Sequence, residues 1–231
     1  NTLPYWPYNA SDNVNNTIHS HPNHIVSNAS IQQISFQSRY NAIEPGEITI
    51  RLYENIANGS GLDLSLMGDF QNYEDERNYD AIKKVYTHHK KYEPYFGRYT
   101  SLADVVVIAP GAWPSGEAAQ EYRGVQLMLK ESHIQFDIIE QSQIENLGNQ
   151  MVKYRLIILP EITDLNEDGI KVLKNAMSKG SHIIATNRSL SNNPQVLKEM
   201  FGAKGVKAEH DGSGFYMHPD NKEIFSRFKE Q

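Results

Sequence analysis

The stretch that decides the fold is ADVVVIA at residues 103–109, which Pro110 and Gly111 follow. It is an unbroken run of apolar, mostly β-branched residues with the length of a strand. Runs of this kind are typical of strands that are covered on both faces. The proline and the glycine end the strand. We therefore expect residues 103–109 to form the first central strand of a sheet.

Three similar segments follow, and helical patterns separate them. The predicted strands are residues 134–139 (IQFDII), 155–159 (RLIIL) and 182–186 (HIIAT). Repeated β-α-β units require a parallel sheet with right-handed crossovers and helices on both faces. Residues 99–231 are therefore predicted to be an α/β domain, a flavodoxin-like three-layer sandwich.

The helical patterns lie at residues 117–132 and 166–178. In the first, the apolar residues are Val125, Leu127, Met128 and Leu129. Asn166 is placed to cap the second helix, and Gly180 lies just past its end, where a left-handed residue is favoured. The residues of this helix that are expected to face inward are Ile170, Val172, Leu173, Ala176 and Met177.

Ligands of open parallel sheets bind beyond the carboxyl ends of the strands. Here those positions are residues 110–116, 140–143, 161–164 and 187–191. No glycine-rich phosphate motif follows any strand, so no nucleotide cofactor is expected. Residues 110–116 contain two prolines, which lack the amide donors that a phosphate needs, and we interpret this segment as a structural turn.

The charge, the cysteine count and the apolar runs of the chain exclude several classes of partner and site. The chain has 22 Lys and Arg against 28 Asp and Glu, a net charge of −6, so we expect neither nucleic acid nor membrane as a partner. It has no cysteine, which excludes disulfides, thiolate metal sites and a cysteine nucleophile. No apolar run approaches the roughly 20 residues that cross a bilayer. We expect a soluble protein, with the cytoplasm as the favoured compartment.

The amino-terminal region has a different pattern. Residues 1–30 are rich in Asn, Ser, His and Pro and are expected to be mostly loop. A strand at 31–36, a helix at 47–58, a strand at 62–67 and a helix at 75–93 are predicted after it. This β-α-β-α order is not a complete domain, and the chain lacks an initiator Met. We therefore expect residues 1–98 to be the last part of a larger α/β barrel.

A family resemblance supports that interpretation. Residues 41–59 (NAIEPGEITIRLYENIANG), with the strand at 62–67, resemble the end of the catalytic barrel in family 42 β-galactosidases and related glycoside hydrolases. Members carry an Asn, a Pro-Gly-Glu, a helix that ends in Ala-x-Gly, and then the eighth barrel strand.

The second region resembles the domain that follows the barrel in that group. The matching segments are Tyr122-Arg123-Gly124, IILP at residues 157–160 and the Lys179-Gly180 turn. That domain is similar to glutamine amidotransferases in fold and is called the trimerisation domain. The resemblance covers residues 31–190 and implies a carbohydrate substrate and a homo-oligomer, a trimer or a dimer.

Three carboxylates are candidate catalytic residues: Glu44, Glu47 and Asp12. Glu44 and Glu47 flank a Pro-Gly that begins a helix, so they either complement the helix dipole or face a sugar at the carboxyl end of the barrel. Glycoside hydrolysis needs two carboxyl groups, about 5 Å apart for retention or about 6.5–9.5 Å apart for inversion.

The sequence departs from the β-galactosidase pattern at the nucleophile. The strand before Asn41 should bring a Glu, but it offers Gln32 and Gln33, which cannot form the ester. The general acid is expected on an earlier strand. We therefore do not expect a complete active site within these residues.

Substrate contacts are expected from aromatic and polar residues. Trp6, Tyr8, Tyr40 and Trp113 could stack on a sugar or pack as anchors, and packing is favoured for Trp113. Arg39 and Asn41 suit sugar hydroxyls and also suit loop contacts.

No metal is expected. His19, His21 and His24 lack a shared spacing and are interpreted as solvated loop residues, and the segment 88–91 as a solvated helix face.

The leading hypothesis is the carboxy-terminal part of a glycoside hydrolase with a non-catalytic second domain. The alternative is a non-catalytic carbohydrate-binding or oligomerisation module. An amidotransferase enzyme needs the cysteine that this chain lacks.

Overall fold

The computed structural model describes residues 6–97, 99–111 and 114–203, and it is an α/β protein with two parallel sheets. The first sheet pairs β1 (Ser27–Ile31) with β2 (Gly61–Ser65). The helices around it are α1 (Trp6–Ser20), α2 (Pro45–Ala57) and α3 (Tyr79–Tyr92). None of the helices in the described ranges has both the length and the apolarity to cross a membrane.

The second sheet has four parallel strands in the order β4-β3-β5-β6. They are β3 (Val105–Ala109), β4 (Phe136–Glu140), β5 (Leu156–Pro160) and β6 (His182–Thr186). The helices that connect or follow them are α4 (Gly116–Glu131), α5 (Ile144–Leu147), α6 (Glu167–Ser178) and α7 (Pro194–Phe201). All four strands were predicted from their apolar runs, and the central position of β3 is confirmed.

Alternate residues of β3 are buried on opposite faces of the sheet. Val106 and Ile108 pack into a core with α5, α6 and α7, whereas Val107 and Ala109 pack against α4. Helices therefore cover both faces of the central strand, as its continuous apolar run predicts. The expected cap is also present, since the Asn166 side chain accepts the amide of Gly169 at 2.7 Å.

The helix predicted at residues 117–132 is present as α4, and its apolar residues lie on two faces. Val125 and Leu129 are buried, as residues four positions apart on one helix face should be. Leu127 is 43% exposed and Met128 is 54% exposed, so they lie on the outer face. The four apolar residues that indicated this helix are therefore divided between its buried and its outer face.

The first sheet is covered on one face by α2 and α3. Ile48, Leu52 and Ile56 of α2 form a core with Ile82 and Val85 of α3. On the opposite face, Ala29, Ile31 and Asp63 are exposed. The sheet is thus a parallel pair with one open face, whereas parallel sheets are ordinarily buried on both.

Three elements differ from the sequence-based prediction. Residues 1–30 are not mostly loop, because residues 6–20 form α1 and residues 27–31 form β1. Residues 31–36 are not a strand. They begin a loop that an antiparallel bridge between Gln33 and Ala42 closes. Helix α7 was not predicted at all.

Helix α1 joins the two sheets by lying along the free edge of β4. The Asn15 side chain donates to the carbonyl of Phe136 at 3.0 Å and accepts the amide of Ile138 at 2.7 Å. The Ser20 hydroxyl accepts the amide of Glu140 at 2.8 Å. The helix therefore satisfies backbone groups that an edge strand otherwise leaves open.

Replacing Asn15 with alanine should destabilise the protein. The change leaves one donor and one acceptor of β4 without their partner, and we expect a loss of about 2 kcal/mol in the free energy of unfolding. Urea unfolding followed by circular dichroism measures it. Asn13→Ala on the same helix is the matched control, because the bonds to β4 described above come from Asn15 and Ser20. Equal stabilities of the two variants would contradict the assigned role of Asn15.

Candidate functional site

Because β1 and β2 are parallel, the loops that leave their carboxyl ends lie at one edge of the sheet. We call residues 32–44 and 66–78 the carboxyl edge. Barrel enzymes place their chemistry at this end of their strands. Of the residues predicted from sequence, Arg39, Tyr40, Asn41 and Glu44 belong to it.

A buried polar pair anchors the two loops to each other. The Gln32 amide donates to Oδ1 of Asn78 at 3.2 Å, and the Asn78 amide donates to the carbonyl of Ile43 at 3.1 Å. Gln32 and Gln33 are both buried, and the Oε1 atom of each has no hydrogen-bond partner within the described residues. Such atoms carry a desolvation cost, so they mark positions where a further donor would be stabilising.

Two carboxylates of the carboxyl edge share one arginine. Arg77 Nη1 lies 3.0 Å from Glu44 Oε1, and Arg77 Nε donates to Asp75 Oδ1 at 2.9 Å. The amide of Ala42 also donates to Asp75, at 2.9 Å. The hydrogen bond from Arg77 is the main cause that lowers the pKa of Asp75. Asp75 is therefore ionised at neutral pH and suits the role of acceptor or base, not that of proton donor.

Glu47 has a different partner. It forms an ion pair with Arg51, one turn along α2. Arg51 is buried, and its Nη1 donates to the carbonyl of Ile31 at 3.4 Å, at the carboxyl end of β1. Burial lowers the pKa of Arg51 and the charge of Glu47 opposes that shift. Glu47 thus compensates a buried cation that fastens α2 to β1.

Three of the predicted sugar-binding residues, Arg39, Tyr40 and Asn41, lie together on the first loop. The Arg39 guanidinium carbon lies 4.9 Å from the centre of the Tyr40 ring, and Tyr40 is 58% exposed. Asn41 is exposed, and its carbonyl accepts the amide of Ile34 at 3.0 Å. The Tyr73 hydroxyl donates to the carbonyl of Arg39 at 2.5 Å. The loop is therefore held by backbone contacts, which leave the Tyr40 ring and the Asn41 side chain facing solvent.

Asp12 lies elsewhere. It is on α1, and Lys130 Nζ of α4 lies 2.6 Å from its carboxylate. The amide of the preceding residue, Ser11, donates to Glu54 at 3.2 Å. Glu54 is ten residues from Glu44 along α2, a helical rise of about 15 Å. That exceeds the separation of a catalytic carboxyl pair, so Asp12 and Glu44 cannot act on one glycosidic bond.

Among the other aromatic candidates, the structure places Tyr8 away from the carboxyl edge. Tyr8 is on α1, and Lys130 Nζ lies 4.5 Å from its ring centre. Trp6 is the first residue of α1, but its side chain falls outside the described part of the structure, as does all of Trp113.

The interpretation of the amino-terminal histidines as solvated loop residues was wrong for His19. His19 is on α1 and its Nε2 lies 3.3 Å from Asp137 of β4. Burial lowers the pKa of His19, and the charge of Asp137 opposes this. No group of metal-ligating side chains occurs among the described residues.

Asp75, Arg77 and Asn78 were missed from sequence. They were assigned to a helix at residues 75–93, but α3 begins only at Tyr79, so all three belong to the loop. The signal that could have found them is the polar run that follows the predicted strand at residues 62–67. Carboxyl ends of parallel strands share an edge, and that rule places this run beside residues 32–44.

Comparisons with known proteins agree on the fold class. No family model and no curated protein matches the chain. A solved α-L-fucosidase isoenzyme 2 from Paenibacillus thiaminolyticus is similar, with a TM-score of 0.58 and 18% identity over 81% of this chain and 28% of that one. A catalytic mutant of a GH42 β-galactosidase from G. stearothermophilus has a TM-score of 0.56 and 19% identity over 83% of this chain and 31% of that one. The fold is glycoside hydrolase-like.

The chain spans less than a third of the length of either neighbour. At these identities the likeness concerns the fold alone, and it includes a fucosidase as well as a β-galactosidase. The coarse resemblance inferred from sequence is thus confirmed, while the choice of family 42 stays a prediction.

The carboxyl of Glu54 gives the protein a testable pH dependence. Burial is the main cause that raises its pKa, from 4.5 to about 7. A raised folded-state pKa means that this group's stabilising contribution is complete below about pH 4.5 and is lost as the pH rises through 7. Glu54→Gln should therefore raise the melting temperature at pH 8 and leave it nearly unchanged at pH 4.5.

The full shift corresponds to about 3 kcal/mol, and partial exposure reduces the expected gain to about 1 kcal/mol. Thermal unfolding at the two pH values measures it. Glu131→Gln, at the exposed end of α4, makes the same charge change and is the control. A gain for Glu54→Gln that is the same at both pH values would refute the assignment.

Proposed function

We propose that this chain is the carboxy-terminal part of a glycoside hydrolase that acts on O-glycosidic bonds of a carbohydrate. Residues 1–98 form the end of its (β/α)8 barrel. Residues 99–231 form a flavodoxin-like, amidotransferase-like domain, which is non-catalytic and supports the barrel or builds a homo-oligomer, a trimer or a dimer.

The observation that carries the proposal is the half-covered first sheet. Its order β1-α2-β2-α3 is that of consecutive barrel units, and its uncovered face presents Ala29, Ile31 and Asp63. A two-stranded parallel sheet is not a stable unit alone, because each strand needs a second neighbour and a second covered face. Further strands of a barrel would supply both.

The second sheet supports the assignment of the other domain. In chain order its strands lie second, first, third, fourth, which is the beginning of the flavodoxin-like order. The glycoside hydrolases that resemble the chain are more than three times as long as the part it matches. A role in a larger enzyme fits both observations.

Within this chain, the carboxyl edge is the part that would contact the sugar. The Tyr40 ring offers an apolar face to a pyranose, while Arg39 and Asn41 offer hydrogen bonds to its hydroxyls. Glu44 is exposed beside ionised Asp75, so these two carboxylates accept hydroxyl protons or serve as a base. Glu47 compensates the buried Arg51 and Asp12 lies at the far end of α2, so the exposed Glu44 is the catalytic candidate.

A specific observation also favours the alternative, a non-catalytic carbohydrate-binding module. A glycosidase needs a carboxyl group that stays protonated near neutral pH. Burial raises the pKa of Asp12 and of Glu54, and both carboxyls lie at the far end of α2 from Glu44. Within the carboxyl edge, the first residues after β1 are Gln32 and Gln33, which cannot form the ester of a retaining hydrolase, whereas Tyr40 and Asn41 can still contact a sugar.

Hydrolysis assays separate the two functions. We expect a longer form of the protein, with the preceding barrel strands, to release nitrophenol from nitrophenyl β-galactoside or α-fucoside. The 231-residue chain alone should be inert, because Gln32 and Gln33 stand where the resemblance expects the nucleophile, and the general acid is expected on an earlier strand. Intact mass confirms which form is assayed. A native protein of only 231 residues that binds sugars without hydrolysis would support the binding module instead.

In the longer protein, Tyr40→Ala should raise KM for the nitrophenyl glycoside about tenfold, because stacking of a sugar on an exposed aromatic ring contributes roughly 1–2 kcal/mol. The turnover number should change less. Tyr95→Ala is the matched control, since Tyr95 is 77% exposed and lies outside the carboxyl edge. If both variants keep the parent KM, Tyr40 does not contact the sugar.

A further inference from the structure

A second candidate binding site lies between the two sheets, away from the carboxyl edge. It is a cavity of about 730 Å³. Val26, just before β1, and Gly61, the first residue of β2, line it on one side, and Ile139 and Met151 of the second sheet region line it on the other. It therefore opens at the amino ends of β1 and β2, the opposite end from the loops that hold Tyr40 and Glu44.

The size and place of the cavity suit a small molecule. Binding pockets for small molecules are typically about 300–1,000 Å³ and occur preferentially where two structural units meet. A hydrophobic core alone does not explain this space, because its wall includes imidazoles, an ammonium group and exposed aromatic rings.

One wall of the cavity is an aromatic ring held in place by a glycine. Tyr99 is 45% exposed, and its ring lies against Gly59, where an added Cβ would come within 3.2 Å of the ring. Gly59 also has a φ of +89°, a conformation that favours glycine. The backbone thus makes room for the ring and fixes its orientation, while a large part of its surface stays uncovered.

The facing wall carries a cluster of polar groups around Asp137. The Ser101 hydroxyl donates to this buried carboxylate at 2.5 Å and the Tyr154 hydroxyl at 2.8 Å. Lys153 Nζ lies 3.2 Å from it and His19 Nε2 lies 3.3 Å from it. These contacts fix four donor groups from three segments of the chain, and Lys153 keeps further N–H groups for a ligand.

The charge of the wall selects against ionic ligands. The ammonium of Lys153 is matched by the carboxylate of Asp137, and the remaining acid in the lining is Glu93. The described residues of the lining therefore carry no excess of positive charge, which phosphate or carboxylate ligands need. Its combination of an apolar ring face with fixed donors and acceptors matches a pyranose, which has apolar faces and a rim of hydroxyls.

We propose that this cavity binds a neutral mono- or disaccharide, at a site separate from the carboxyl edge. The Tyr99 ring receives an apolar face of the sugar, and Lys153 and Gln150 bond its hydroxyls. This site does not depend on hydrolysis at the carboxyl edge, so it goes beyond the function proposed above.

Binding of galactose and of lactose to the full protein tests the proposal, by isothermal titration calorimetry and by saturation-transfer NMR. Tyr99→Ala should weaken one class of sites at least tenfold, and Tyr99→Trp should retain it. Tyr95→Ala, four residues away and outside the lining, should bind as the parent protein does. Circular dichroism and the melting temperature show that each variant is folded.

A second variant, Gln150→Ala, tests the same site independently, in case Tyr99→Ala does not fold. Gln150 is exposed on the cavity wall, so Gln150→Ala should keep the fold and weaken binding at the same site about threefold. Equal affinities for the parent, Tyr99→Ala and Gln150→Ala would overturn the proposal, and so would the absence of any sugar binding.

The variant Tyr40→Ala distinguishes sugar binding in the cavity from sugar binding at the carboxyl edge. It should leave the cavity site intact, whereas it weakens binding at the carboxyl edge. Binding that is lost with Tyr40→Ala and kept with Tyr99→Ala overturns only the cavity site. Sugar bound in the cavity of a protein that hydrolyses no glycoside overturns only the hydrolase assignment.

Discussion

The architecture depends on the polar contact between α1 and the edge of β4. Backbone amides and carbonyls at a sheet edge need partners, and here a helix supplies them through Asn15 and Ser20 instead of through another strand. The same helix contacts α2, since the amide of Ser11 donates to Glu54. It is therefore the element that fixes the first sheet against the second, and the cavity beside Tyr99 exists because these contacts hold the sheets at a distance.

Polar packing also shapes the contact between the first sheet and α2. Asn55 of α2 donates to the carbonyl of Asn28 at 2.9 Å and to the Ser30 hydroxyl at 3.1 Å, so β1 meets its helix through hydrogen bonds. Buried networks of this kind stabilise a single register when every member has a partner. A separate buried pair, Gln32 and Asn78, lies at the carboxyl edge, where Oε1 of Gln32 has no hydrogen-bond partner among the described residues.

The sequence predicted the second sheet well and the first one poorly, for a physical reason. Strands β3 to β6 are runs of apolar residues that must be covered on both faces, and that requirement is visible in the residues themselves. Helix α1 is rich in asparagine, a residue that favours caps and turns, so local preference indicates a loop. Its helical form depends on contacts with β4, more than a hundred residues away, which no local pattern reveals. The local pattern likewise assigned Asp75 to Asn78 to a helix, although they belong to the loop before α3. The sequence therefore predicted candidate residues on the first loop of the carboxyl edge but none on the second.

Helix α2 connects two groups of polar residues, one at each of its ends. Its first turn carries Glu44 and Glu47 at the carboxyl edge, and its last turns carry Glu54 and Asn58, which bond α1. A helix of this length measures about 20 Å, so a tilt of about ten degrees at one end displaces the other by about 3.5 Å. A tilt of α2 at the end that carries Glu54 would therefore move the loop that carries Tyr40, although the two lie at opposite ends of the helix.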